Sequence, residues 1–125
     1  MAARKTILIV EDDEDLRRLF RTALTLAGYD VIEAGDGVEA LQRVDLLVPD
    51  LVILDLVLPG LTGAAVQQEL AAQALTRDIP IVIVTGTYVD PADFDVACLL
   101  RKPVTPDQLI QTVRSCLVQS QGGVV

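Results

Sequence analysis

The 125-residue chain contains no histidine and no tryptophan, and aromatics make up only 3% of it. Without imidazole it lacks the usual general base near neutral pH and the commonest metal ligand. Cys98 and Cys116 are its only cysteines, too few for a closed zinc site. Basic residues are scarce as well, 10 against 18 acidic ones, for a formal net charge of −8. Binding to nucleic-acid phosphates needs clustered Lys and Arg, so DNA and RNA are excluded as direct ligands. An acidic surface also repels anionic membranes. No apolar run reaches the roughly 18 residues of a membrane span. The first residues pass straight into a strand pattern, with no signal-peptide core. The composition predicts a cytoplasmic protein with no membrane or nucleic-acid partner. Its two thiols are expected to stay reduced and to act as small buried hydrophobes.

What is abundant is aliphatic. Hydrophobic residues are 51% of the chain, and a chain of this length suits one domain, residues 1–125, with its own core. Thr6–Val10, Asp30–Ala34, Leu51–Leu54, Ile81–Val84 and Ala97–Arg101 read as strands. Helical spacing runs from Asp13 to Ala27, with Gly28 ending it. Gly35–Gly37 reads as a turn, and a second helix follows from Val38 to about Leu47. A third spans Ala64–Leu75, with Val66, Leu70 and Ala74 on one face. Between Gly86 and Val96 the pattern supports one helical turn or two. Thr105, Pro106 and Gln108 form a capping box for a last helix that reaches about Gln119, with 120–125 a flexible tail. Strands that are apolar throughout are covered on both faces, so the sheet is parallel and the class α/β.

Four of the five strand runs end on a reactive side chain. The first reaches Glu11 and Asp12, the third Asp55, the fourth Thr85 and the fifth Lys102-Pro103. Ligands of open parallel sheets bind beyond the carboxyl ends of the strands. Glu11, Asp12 and Asp55 would therefore meet there. Three close carboxylates repel one another unless a cation is present. Mg2+ suits such oxygen ligands and tolerates phosphate partners. Carboxylates are also phosphoryl nucleophiles. With Lys102 to neutralise charge, Thr85 to donate a hydrogen bond and Gly86 leaving the approach open, Asp55 reads as a phosphoryl acceptor.

Taken together, Ile7–Asp12, Asp50–Pro59, Gly63, Val84–Gly86 and Lys102-Pro103 resemble the receiver domain of two-component response regulators, the chemotaxis regulators included. The resemblance covers about residues 5–118. It implies a doubly wound, flavodoxin-like (βα)5 fold with strand order 2-1-3-4-5. It also implies phosphorylation of Asp55 by a sensor histidine kinase or phosphotransfer protein. Asp12 and Asp55 would hold Mg2+ directly, Glu11 through water, and the Val57 carbonyl would be a further ligand. Thr85 and Lys102 would contact the phosphoryl group, and the bond to Pro103 would be cis. The product is a signalling switch rather than an enzyme. It would act on a downstream protein or on an output domain in a longer chain.

Two departures from the family pattern stand out. The stretch from Thr85 to Lys102 is short, which predicts a truncated or loop-like fourth helix. That affects the usual signalling surface of fourth helix, fifth strand and fifth helix. Leu99 stands where many members carry Tyr or Phe, so a ring flip is unavailable; Tyr88 is a candidate substitute, and coupling would rely on loop ordering. Val57 and Thr87 are poor at orienting or activating water, which predicts slow loss of the phosphoryl group. An apolar patch beside the reduced helix would support a homodimer.

Each residue also has an ordinary alternative. Residues 11–15 could be acids at a helix start, Asp55 a turn residue, Thr85 a β-former and Lys102 a surface charge. Their joint occurrence favours the site. Glu39 and Asp50 read as surface acids. A haloacid-dehalogenase-type phosphatase needs a second Asp where Val57 stands. A pseudo-receiver, binding a partner without phosphorylation, is the remaining alternative.

Overall fold

The computed structural model describes residues 3–94 and 96–122. Strands β1 (Thr6–Val10), β2 (Asp30–Ala34), β3 (Leu51–Leu54), β4 (Ile81–Thr85) and β5 (Cys98–Arg101) form one parallel sheet in the order β2-β1-β3-β4-β5. Helices α1 (Glu14–Leu26), α2 (Gly37–Leu46), α3 (Gly63–Ala72) and α4 (Pro106–Gly122) cover its two faces. This is the expected doubly wound architecture. Among the described residues the only helical element of the fourth crossover is a 3-10 turn, Pro91–Asp93, so the family's fifth helix is α4 here.

Side chains alternate across the strands and build two cores. Ile7, Ile9, Ile53, Val82 and Val84 pack with Phe20 and Leu24 of α1 and Leu109 and Val113 of α4. Leu8, Val10, Val52, Leu54 and Ile83 face the other way, onto Ala40 and Val44 of α2 and Val66 and Leu70 of α3. The central strands are buried on both faces, which is why they read as unbroken apolar runs.

Local chemistry sets the helix ends. Asp13 caps α1, its carboxylate accepting from the amides of Asp15 and Leu16. Gly28 ends that helix with φ +103°, and the amides of Gly28 and Tyr29 donate to the carbonyls of Thr25 and Leu24. Asp36, expected in a turn, is the cap of α2, accepting from Glu39 N at 2.8 Å. Thr105 and Gln108 cap α4 reciprocally.

Two helix ends differ from expectation. Helix α3 stops at Ala72 instead of Leu75, because Gln73 is extended and the Thr76 hydroxyl donates to the Leu70 carbonyl at 2.6 Å. Ala74, expected on its buried face, is exposed. Helix α4 continues past Gln119 to Gly122, so residues 120–122 are helical rather than tail; residues 123–125 lie outside the described residues. Asp50 is more than a surface acid, for its carboxylate accepts from Thr6 N at 2.7 Å and ties the entry of β3 to β1. Glu39 is less idle too, reaching back to the Gly35 amide at 3.3 Å.

Candidate functional site

The sheet's hydrogen bonding extends past the strand ends and carries the reactive residues with it. Glu11 N donates to Ala34 O at 3.1 Å, Asp55 N to Val10 O at 3.0 Å, and Lys102 N to Thr85 O at 2.9 Å. Each of these residues therefore sits one step beyond a strand on a fixed backbone. The Lys102-Pro103 bond is cis. Gly63, at the start of α3, lies against the turn after Asp55; a Cβ there would meet the Asp55 carbonyl oxygen and the Leu56 Cα. Its amide donates to Leu56 O at 3.1 Å. The absence of a side chain lets α3 close directly behind Asp55.

Three carboxylates converge. Glu11, Asp12 and Asp55 each offer an oxygen within 4.8 Å of the others. Glu11 and Asp55 are buried, whereas Asp12 is exposed. Lys102 Nζ donates to Glu11 Oε1 at 2.6 Å and to Asp55 Oδ2 at 2.7 Å. The other oxygen of Asp55 accepts from Val57 N at 3.0 Å, and Glu11 Oε2 accepts from Asp13 N at 3.2 Å. Burial raises the pKa of Glu11 above its ordinary value; Lys102 works against that, and the Asp55 charge adds to it. Burial pulls Lys102 down, but its hydrogen bonds to Asp55 and Glu11 outweigh this and hold it above its ordinary value.

Thr85 is fully buried, and its hydroxyl lies 3.3 Å from that of Thr87, whose amide also faces it at 3.3 Å. Gly86 is exposed, and a Cβ there would meet nothing within 4 Å, so the approach over Thr85 is open. The side chain of Val57 is exposed. Leu99 is half-buried and packs onto the core on the α2–α3 face. Tyr88 is 77% exposed, and its ring lies 5.1 Å from the Arg101 guanidinium.

Arg17 escaped the sequence reading. Its Nη1 donates to the Glu11 carbonyl at 2.8 Å while its Nε pairs with Glu33 at 3.2 Å, and Arg21 braces Glu33 from the other side. Arg17 thus fixes the backbone that carries the acidic pair. Its helical position looks like any other polar site on α1, and no local pattern marks the long-range contact.

A sheet-end pocket of this composition defines a class, and the comparisons agree with it. The family model described as response regulator receiver domain matches residues 7–114. The chain belongs to that family. The alkaline phosphatase synthesis transcriptional regulatory protein PhoP of Bacillus subtilis is 35% identical, over 94% of this chain and 50% of its own length. The phosphate regulon transcriptional regulatory protein PhoB of Pseudomonas aeruginosa is 32% identical, over 95% and 54%. The chain spans about half the length of these curated relatives. Chemotaxis protein CheY4 of Vibrio cholerae superposes with a TM-score of 0.84 at 28% identity, covering 91% of this chain and 99% of that one. The chain is thus a response-regulator receiver domain of two-component signal transduction. Among the described residues, no helix is long and apolar enough to cross a membrane.

Proposed function

We propose that this receiver accepts a phosphoryl group on Asp55 from a sensor histidine kinase or a phosphotransfer protein, in the cytoplasm, and changes its protein contacts in response. The observation that carries this reading is the state of the Asp55 carboxylate. It is buried at a strand end, oriented through one oxygen by Val57 N and through the other by Lys102. An Asp held only as a turn residue needs no half-buried ammonium beside it.

In the proposed transfer, an Asp55 oxygen attacks phosphorus, a P–O bond forms, and the bond from phosphorus to the donor's nitrogen or oxygen breaks. Lys102, already bonded to Asp55, pairs with the arriving phosphoryl oxygens. Glu11 keeps Lys102 charged and aimed. Three carboxylates against one ammonium leave the pocket short of positive charge, and their converging oxygens fit a hard divalent cation. Asp12 and Asp55 would hold Mg2+, with Glu11 through water and the Val57 carbonyl as a further ligand. When bound, the ion supplies the charge that offsets the carboxylates and the phosphoryl oxygens. The Thr85 hydroxyl exchanges its Thr87 partner for a phosphoryl oxygen. That exchange draws on the segment just after β4 and alters the surface offered to a downstream protein or to an output domain in a longer chain.

The test is intact mass after incubation with acetyl phosphate, with and without Mg2+. A Mg2+-dependent gain of one phosphoryl group, lost in Asp55→Asn, is expected. No gain under either condition refutes the proposal.

A further inference from the structure

The two cysteines do not behave as separate core residues. Cys98 opens β5 at the sheet edge, and Cys116 lies on the inner face of α4. Cys116 is buried, while Cys98 is half-buried and packs against the same core cluster. Both line one open cavity of about 240 Å³, together with Gln111, Thr112 and Ser115 of α4. Neither thiol belongs to the acceptor site, and packing alone does not require sulfur at both places.

We propose that Cys98 and Cys116 form a reversible intramolecular disulfide that fastens β5 to α4. The cavity gives a small oxidant, a peroxide or a low-molecular-weight disulfide, access to the half-buried Cys98. Burial, and the Cys98 side chain beside it, push the Cys116 thiol up, and Cys116 is the less accessible of the two. Cys98 therefore reacts first. With a peroxide, the O–O bond breaks, Cys98 becomes a sulfenic acid and water leaves; Cys116 sulfur then attacks the Cys98 sulfur and a second water leaves. With glutathione disulfide, Cys98 forms a mixed disulfide and releases one glutathione; Cys116 displaces the second. In either case two thiols lose two protons and two electrons to the oxidant. A thiol reductant reverses the bond. Disulfides of this kind in reducing compartments are usually transient and regulatory.

The bond would link the strand that leads into Lys102 to the last helix. It is independent of whether Asp55 is phosphorylated. The test treats the reduced, intact chain with glutathione disulfide or hydrogen peroxide, then alkylates it and records intact mass and a non-reducing peptide map. The expected result is loss of two hydrogens, no alkylation, and a Cys98–Cys116 cross-linked peptide that dithiothreitol abolishes. Cys116→Ser should trap one glutathione at Cys98, and Cys98→Ser should leave Cys116 unreacted. Separate adducts on both cysteines, disulfides only between molecules, or two free thiols after a treatment that oxidises an exposed reference thiol would each overturn it. The map of the parent chain decides the matter even if a variant folds poorly.

Discussion

Two parts of this receiver are built to different standards. From β1 to β4 every crossover is a capped helix of 10 to 13 residues, and β3 and β4 are buried along their whole length. From β4 to β5 the only helical element among the described residues is a three-residue turn, and β5 is half-buried at best. Asp55, the proposed acceptor, and its acidic neighbours hang from the first part. Lys102 alone hangs from the second. Such a division lets the acceptor stay rigid while the charge that answers it sits on the more yielding element. Segments with fewer buried contacts open at lower free energy.

Matched truncations put the largest strain on this comparison. Ile53→Ala, in the centre of β3, should lower stability by about 2–5 kcal/mol, and Leu99→Ala on β5 by less than half as much. Urea midpoints measure both; equal losses would erase the distinction. Next in size is Mg2+. At a hundredfold excess over its dissociation constant it should add about 2.7 kcal/mol. Asp12→Asn should remove most of that gain, whereas Leu99→Ala should leave it intact, because the ligands proposed for the ion follow β1 and β3.

A smaller effect concerns alkali. Lys102 titrates above its ordinary 10.5 in the folded chain. A raised pKa means its contribution is present in full below that ordinary value and fades as pH rises through the folded one. The stability gap between the parent and Lys102→Met should therefore narrow above about pH 10.4, read from urea unfolding at stepped pH. A gap that stays constant would show that Lys102 acts by packing rather than charge. The smallest effect belongs to the exposed crossover. Tyr88→Ala removes a cation–π contact with Arg101 and should cost under about 1 kcal/mol. A larger loss in thermal unfolding would mean that this crossover is better anchored than its turn suggests.

Much of this was legible beforehand, for physical reasons that vary by element. The strands showed because parallel strands buried on both faces cannot hide their apolar runs. The site showed because its residues follow those runs directly, so knowing where a strand ends locates the side chain. The reduced fourth helix was visible as missing length. The early stop of α3 was not, since Ala74 and Leu75 continue a helical pattern that the buried Thr76 hydroxyl overrides. Arg17 and the shared cavity of the two thiols were equally hidden, because contacts between distant elements leave no trace in local spacing.

The two margins of the sheet also differ in how they face a stranger. The β2 margin carries Asp30 and Glu33, bound to Arg4, Arg17 and Arg21. Charge of that kind discourages a foreign strand from adding to an open edge. The β5 margin has a charged residue only at its end, Arg101, and relies instead on being four residues long. Self-association by strand addition, if the chain is crowded or partly unfolded, would begin at that margin. Lengthening β5 by substitution would remove its main protection.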